Sequence, residues 1–219
     1  MYDVYGGKFT RTGLVLMLLD YAGIEYRLHA IDTVGGEHRT PEFLAINPAG
    51  YVPALRTPEG QILHETPAIM LYLAERHRLD AIAPPVGDPD RAEFLSGLFY
   101  CADDIQPEIK RYYYPSRFAP DEAGTQAIHA QARANLVDRL SVVSRRLEAG
   151  GPYYLGERLT LVDLTVVFWA TSVHPQAGLY RDCPGLASYR SRVLAWHPCT
   201  RHIDAHEASS REYWASHLS

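Results

Sequence analysis

Residues 47–55 read Asn47-Pro48-Ala49-Gly50-Tyr51-Val52-Pro53-Ala54-Leu55, and the fold turns on this stretch. Asn-Pro-Ala-Gly is turn chemistry. It ends a short helix that Thr40-Pro41 opens, with Thr40 as N-cap and Pro41 at the first helical position. Val52 to Arg56 then returns as a strand, and Gln61 to Leu63 pairs with it across the Pro58-Glu59-Gly60 turn. By itself Val52-Pro53 is a loop proline entering an edge strand. The nine residues together place that proline at the head of a hairpin.

Outward from the hairpin, strand and helix alternate. Tyr2 to Tyr5 is a short strand closed by Gly6-Gly7, and Arg11 to Tyr21 is a leucine-rich helix with Gly23 where a C-cap belongs. Glu25 to Ile31 alternates, with Tyr26 and Leu28 on one face and Arg27 and His29 on the other. Downstream, Thr66-Pro67 opens a helix to about His77, with Ile69 and Leu73 inward. The order β-α-β-α-β-β-α defines an α/β layer domain over residues 1–80. Residues 81–89, with Ala83-Pro84-Pro85-Val86-Gly87-Asp88-Pro89, form a linker. Residues 90–219 are helical in texture. Ala132, Leu136, Leu140, Val143 and Leu147 mark one face of a long helix stopped by Gly150-Gly151-Pro152, and further helices run over 160–173 and 184–196.

Composition narrows the function classes. Of 219 residues, 47% are hydrophobic and 21% charged, as in globular domains. A net charge of -5 weighs against a nucleic-acid partner. The longest aliphatic run, Leu14 to Leu19, is too short for a bilayer, and the opening residues lack a secretory pattern. Cys101, Cys183 and Cys199 show no paired or metal-ligand spacing, so a cytoplasmic chain with reduced thiols and no metal is expected.

Four motifs carry chemistry. Tyr5-Gly6-Gly7-Lys8-Phe9-Thr10-Arg11 joins the first strand to the first helix, Asn47 to Leu55 follows, and then Glu65-Thr66-Pro67-Ala68-Ile69 and Leu159-Thr160-Leu161-Val162-Asp163. Together they resemble the glutathione transferase superfamily over nearly the whole chain. The resemblance implies a thioredoxin-like α/β N-terminal domain that binds glutathione, an all-α C-terminal domain (90–219) for the second substrate, and a homodimer with a detoxifying role. It implies a hydroxyl that donates to the glutathione sulfur. Thr10 occupies the serine position, and Tyr5 competes because other branches use a tyrosine near this strand end. Such a donor matters because a free thiol near pKa 8.5 is only a few per cent ionised at neutral pH, and a donor plus a helix N-terminus favours the thiolate. The bland role of Thr10 is a helix cap.

The same resemblance implies a cis bond before Pro53 and strand-like pairing of Val52 with the cysteinyl backbone. Glu65 and Thr66 would read the two ends of the γ-glutamyl group, with Arg11 beside them. Many relatives carry Lys or Arg at the position of Tyr51, where it meets the glycyl carboxylate; either His38 or Arg39 is the expected substitute, the alternative being that both are solvated loop residues. Thr160 and Asp163 are implied to be a structural cap. Tyr112 and Tyr113 are expected either to wall the pocket of a hydrophobic electrophile or to be core and interface aromatics. Conjugation is the generic reaction implied. A specialised isomerase, dehalogenase or ether-cleaving lyase, and a non-catalytic binding module, stand as alternatives.

Overall fold

The computed structural model describes residues 1–217. They divide into two compact units: Met1–Ala83 together with the residues from His197 on, and Pro84–Trp196.

In the first unit, β1 (Tyr2–Gly6), α1 (Thr12–Tyr21) and β2 (Tyr26–Ala30) form a β-α-β turn with β1 and β2 parallel. A 3-10 turn (Glu37–Arg39) and the short α2 (Pro41–Leu44) lead to β3 (Ala54–Arg56), β4 (Ile62–His64) and α3 (Thr66–Arg76). The strand order is β2-β1-β3-β4, with β3 antiparallel to both neighbours. Thr40 caps α2 by accepting the N–H of Phe43. The hairpin turn closes through Thr57 N–H to Gln61 O at 2.8 Å. α1 is apolar all round, and every residue from Leu14 to Leu19 is buried, as befits a helix packed on several sides. β2 is an edge strand, and Leu28 stays 46% exposed despite its alternation.

The sequence assigns all of 90–219 to the helical domain, but the last segment belongs to the first unit. α10 (Arg201–His217) packs on α1. Asp20, near the end of α1, accepts Arg201 Nη2 at 2.5 Å, Tyr26 Oη at 3.2 Å and a bond to His202 Nε2 at 2.6 Å. This segment has no strong apolar stripe in sequence, since its buried face mixes Ile203 and Trp214 with His206, Glu207 and Ser210.

The second unit is helical: α4 (Arg91–Tyr100), a π-helical turn (Cys101–Ile105), α5 (Gln106–Tyr113), α6 (Glu122–Gly150), α7 (Leu161–Ala170), α8 (Gln176–Asp182) and α9 (Gly185–Trp196). The α6 stripe of Ala132, Leu136, Leu140, Val143 and Leu147 is buried, and α7 is buried on every side. None of the described helices is long and apolar enough to cross a membrane.

At the start of α7, Asp163 is fully buried. Its Oδ2 accepts Thr160 N–H at 2.6 Å and Thr160 Oγ1 at 3.1 Å, while Oδ1 accepts Tyr154 N–H at 2.7 Å and Tyr189 Oη at 2.8 Å. Burial pushes its pKa up, and these donors pull it back. Asp163→Ala leaves two fixed backbone donors and two hydroxyls without their acceptor. It is expected to lower unfolding free energy by about 3 kcal/mol, measured by urea denaturation.

In the first unit, burial lowers the His206 pKa from 6.5 to about 3. A depressed folded-state pKa means that the unfolded chain takes up the proton first. This contribution is therefore intact above about pH 6.5 and fades as pH falls towards 3, by at most about 1.4 kcal/mol per pH unit. His206→Phe should flatten that limb of the stability–pH curve, and an unchanged slope in denaturation series would contradict the assignment.

Candidate functional site

Three segments of the first unit converge: the loop before α1, the turn before β3 and the residue before α3. Arg11 joins them. Its Nη2 donates to Val52 O at 3.5 Å, and its Nη1 lies 4.0 Å from Glu65 Oε2. Burial lowers the Arg11 pKa, and the Glu65 carboxylate and then Tyr51 oppose that shift. A guanidinium stays charged throughout the working pH range, so this cradle carries a fixed cation.

Each segment is held for a local reason. The Val52–Pro53 peptide is cis. Asn47 pins the turn before it, donating from Nδ2 to Tyr51 O at 2.7 Å and accepting Ala49 N–H at 3.2 Å. Glu65 has φ 68 and ψ 115, in a region that costs a non-glycine residue energy and is kept where surroundings over-determine it. Its carboxylate does not cap α3. Thr66 is the first residue of α3 and is buried, and its hydroxyl has no hydrogen-bond partner among the described residues. A buried unpaired hydroxyl beside the free N–H groups of a helix start is a place for an anionic acceptor.

Thr10 lies at the mouth of α1, half-buried. Its Oγ1 donates to Gly7 O at 2.7 Å, accepts Thr12 N–H at 3.3 Å, and sits 2.7 Å from Thr12 Oγ1. Its neighbour Phe9 has φ 55. The Phe9 ring stacks on His206 at 5.4 Å and meets Tyr213 at 5.8 Å, both on α10.

Tyr5 is in a different setting. It is buried inside β1, in a cluster with Phe43, Val52 and Ala54. Its ring stacks on His29 at 4.6 Å, with the Arg56 guanidinium 5.5 Å from its centroid. His29 is itself held by Asp3 at 2.7 Å, and that bond is the largest cause of the lowered Asp3 pKa. Tyr5 is built into the sheet; Thr10 stands where a helix begins.

His38 is half-buried in the 3-10 turn. Arg39, beside it, places its guanidinium 5.1 Å from the Tyr51 ring centroid and donates to Ala49 O at 3.3 Å. A cation thus stands over the position where the sequence lacks one.

Of the two roles expected for Tyr112 and Tyr113, the pocket wall is corrected and core packing is what the structure shows. Both are buried within the helical unit, with hydroxyls donating to His174 O at 2.8 Å and Ser172 O at 2.6 Å, and Tyr112 stacks on His129 at 4.7 Å. They tie α5 to α6 and to the segment after α7. The exposed aromatics nearby are Tyr114 and Phe118, against Arg117 and Arg111. The three cysteines are buried, and burial raises every thiol pKa, those of Cys183 and Cys199 to about 11. Among the described residues no cluster of three or more His, Cys, Asp or Glu side chains is placed to hold a metal.

Sequence reasoning missed Thr12, although the Thr10-x-Thr12 spacing was there to be seen. It also missed the α10 residues beside Phe9, which nothing local signals.

Residues 14–76 match the family model described as glutathione S-transferase, N-terminal domain. The chain is 34% identical over 170 residues to the GST-like protein YncG of Escherichia coli, covering 74% of this chain and 78% of that protein. It is 39% identical over 112 residues to a maleylacetoacetate isomerase of Pseudomonas aeruginosa, spanning 49% of this chain and half (50%) of that protein. Among solved structures, a glutathione transferase homologue from Sulfitobacter with bound glutathione aligns at a TM-score of 0.78 and 25% identity, over 93% of this chain and 97% of that one.

Gly6 is required by close approach. A Cβ there would lie 2.0 Å from Thr12 Oγ1 and 2.5 Å from its Cγ2. Gly6→Ala should therefore cost about 1–3 kcal/mol through overpacking at the mouth of α1, read as a lowered thermal midpoint; a midpoint equal to that of the parent chain would show the contact to be slack.

Proposed function

The chain belongs to the glutathione transferase superfamily, and from that membership we propose that it binds glutathione in the first unit and turns its thiol on a hydrophobic electrophile. The observation that carries the proposal is the Arg11 bridge between Val52 and Glu65, since it gathers into one cradle three motifs that lie far apart in sequence. Val52 offers backbone pairing to the cysteinyl residue, beside Pro53. Glu65 accepts the γ-glutamyl amine, and Thr66 with the start of α3 receives its carboxylate. Arg39, held over Tyr51, faces the glycyl carboxylate, with His38 next to it. Thr10 donates to the sulfur.

In this scheme the thiol proton leaves to solvent before attack. The sulfur lone pair forms the new S–C bond, and the electrophile expels a leaving group or takes up a proton. The protein contributes thiolate stabilisation and proximity. The match to a maleylacetoacetate isomerase favours a second reading within the same chemistry. There the thiolate adds to a conjugated double bond, the resulting single bond rotates, and elimination returns glutathione unchanged. The proposal extends to a cytoplasmic homodimer, for which sedimentation of the purified chain should give twice the monomer mass.

Retention on immobilised glutathione tests binding, and a folded chain that passes through unretained would leave only an interaction module. For chemistry, Thr10→Ala and Tyr5→Phe are compared by the pH profile of conjugation. Loss of the true donor raises the pKa of the bound thiol and moves the acid limb to higher pH, with about tenfold less rate at neutral pH for each unit. We expect this of Thr10→Ala, with Tyr5→Phe tracking the parent profile. The reverse result would transfer the donor role to Tyr5.

A further inference from the structure

We propose that Thr12 is a positioning residue for the reaction, fixing the Thr10 hydroxyl so that it donates to the glutathione sulfur rather than accepts from it. The proposal rests on Thr10 being the sulfur's donor.

The geometry supplies the reason. A threonine hydroxyl has one proton and two lone pairs. Thr10 Oγ1 gives its proton to Gly7 O at 2.7 Å, so in the 2.7 Å contact between Thr10 Oγ1 and Thr12 Oγ1 the donor is Thr12. The Thr12 N–H also points at Thr10 Oγ1, at 3.3 Å. Both lone pairs are therefore taken by one residue, through its side chain and its backbone. Rotation about Cβ–Oγ1 redirects the Thr10 proton from Gly7 O to an arriving sulfur. An S–H could be accepted there only by displacing one of the two Thr12 donors.

This distinction selects between protonation states of the ligand. A hydroxyl free to accept serves a neutral thiol as well as a thiolate, because the thiol can donate to it. A hydroxyl limited to donating stabilises the anion far more than the neutral thiol, whose sulfur is a weak acceptor. The bond from Thr12 also polarises the Thr10 O–H and strengthens it as a donor. Thr12 itself is held in place: it is 2% exposed, and it sits over Gly6 with no room for a side chain between them.

The test measures thiolate absorbance of glutathione bound to the intact protein as a function of pH, together with kcat and KM. Thr12→Val removes the side-chain donor at nearly constant shape. Thr12→Ala removes it without bulk beside Gly6, covering the case in which valine disturbs the fold. Both are expected to raise the apparent pKa of the bound thiol by about 0.5–1, the equivalent of one hydrogen bond. KM for glutathione should stay unchanged, and Thr12→Ser should restore the parent value. If Thr10→Ala raises the pKa while both Thr12 variants leave it in place, the inference fails and the donor role of Thr10 survives. If Thr12→Ser behaves like Thr12→Ala, the methyl group matters rather than the hydroxyl, and the inference fails again. If none of the variants moves the titration, Thr10 is not the donor, and the parent proposal falls with this one.

Discussion

A half-buried guanidinium organises the first unit. Arg11 stands at the entry to α1, with its side chain 21% exposed, and a cation withdrawn this far from water needs acceptors. It finds them on two other segments, the Val52 carbonyl and the Glu65 carboxylate. The turn before β3 and the entry to α3 are thereby drawn towards the mouth of α1. The backbone at Glu65 is unusual, with φ 68 and ψ 115, and its carboxylate makes no cap bond to its own helix.

The helix starts show how one residue type is used in different ways. Thr40 and Thr160 close helix ends with partners nearby, Thr160 through the buried Asp163. Thr66, also at a helix start, leaves its hydroxyl without a partner among the described residues, although burial makes that costly. Thr10 combines acceptor and donor: it takes the first N–H of α1 and gives its own proton to Gly7 O, a carbonyl of the same loop. Capping and ligand recognition need not compete, because the first uses a lone pair and the second a proton.

Much of this was legible in the sequence, for physical reasons that can be named. Turn residues and caps act over a few positions, so Thr40-Pro41, Asn47 to Gly50 and Thr160 with Asp163 announced their elements. The α6 stripe was legible because burial repeats with the helical period. The tyrosines at 112 and 113 were not, since periodicity says that a ring is on a face but not whether that face is covered. Their hydroxyls reach carbonyls some sixty positions away. α10 was hidden for a related reason: its hold on α1 runs through Asp20, Arg201 and His202, residues that read as solvated until the chain returns to meet them. Leu28 erred in the other direction, alternating correctly on a strand that proved to be an edge.

The distribution of sulfur and of hydrogen-bond donors bears on the proposed chemistry. The chain's own thiols are buried, and burial holds Cys183 and Cys199 near a pKa of about 11, so they remain protonated at neutral pH and are poor nucleophiles. Burial, which disables these thiols, is only partial at the Thr10 position before α1. There Thr10 is half-buried, a helix begins, and a guanidinium lies close by in the same loop. The helix start and the guanidinium both favour a negative charge. With its own thiols held protonated by burial, the sulfur of the proposed chemistry would have to be brought by a ligand, and the division of labour proposed for this chain follows from that.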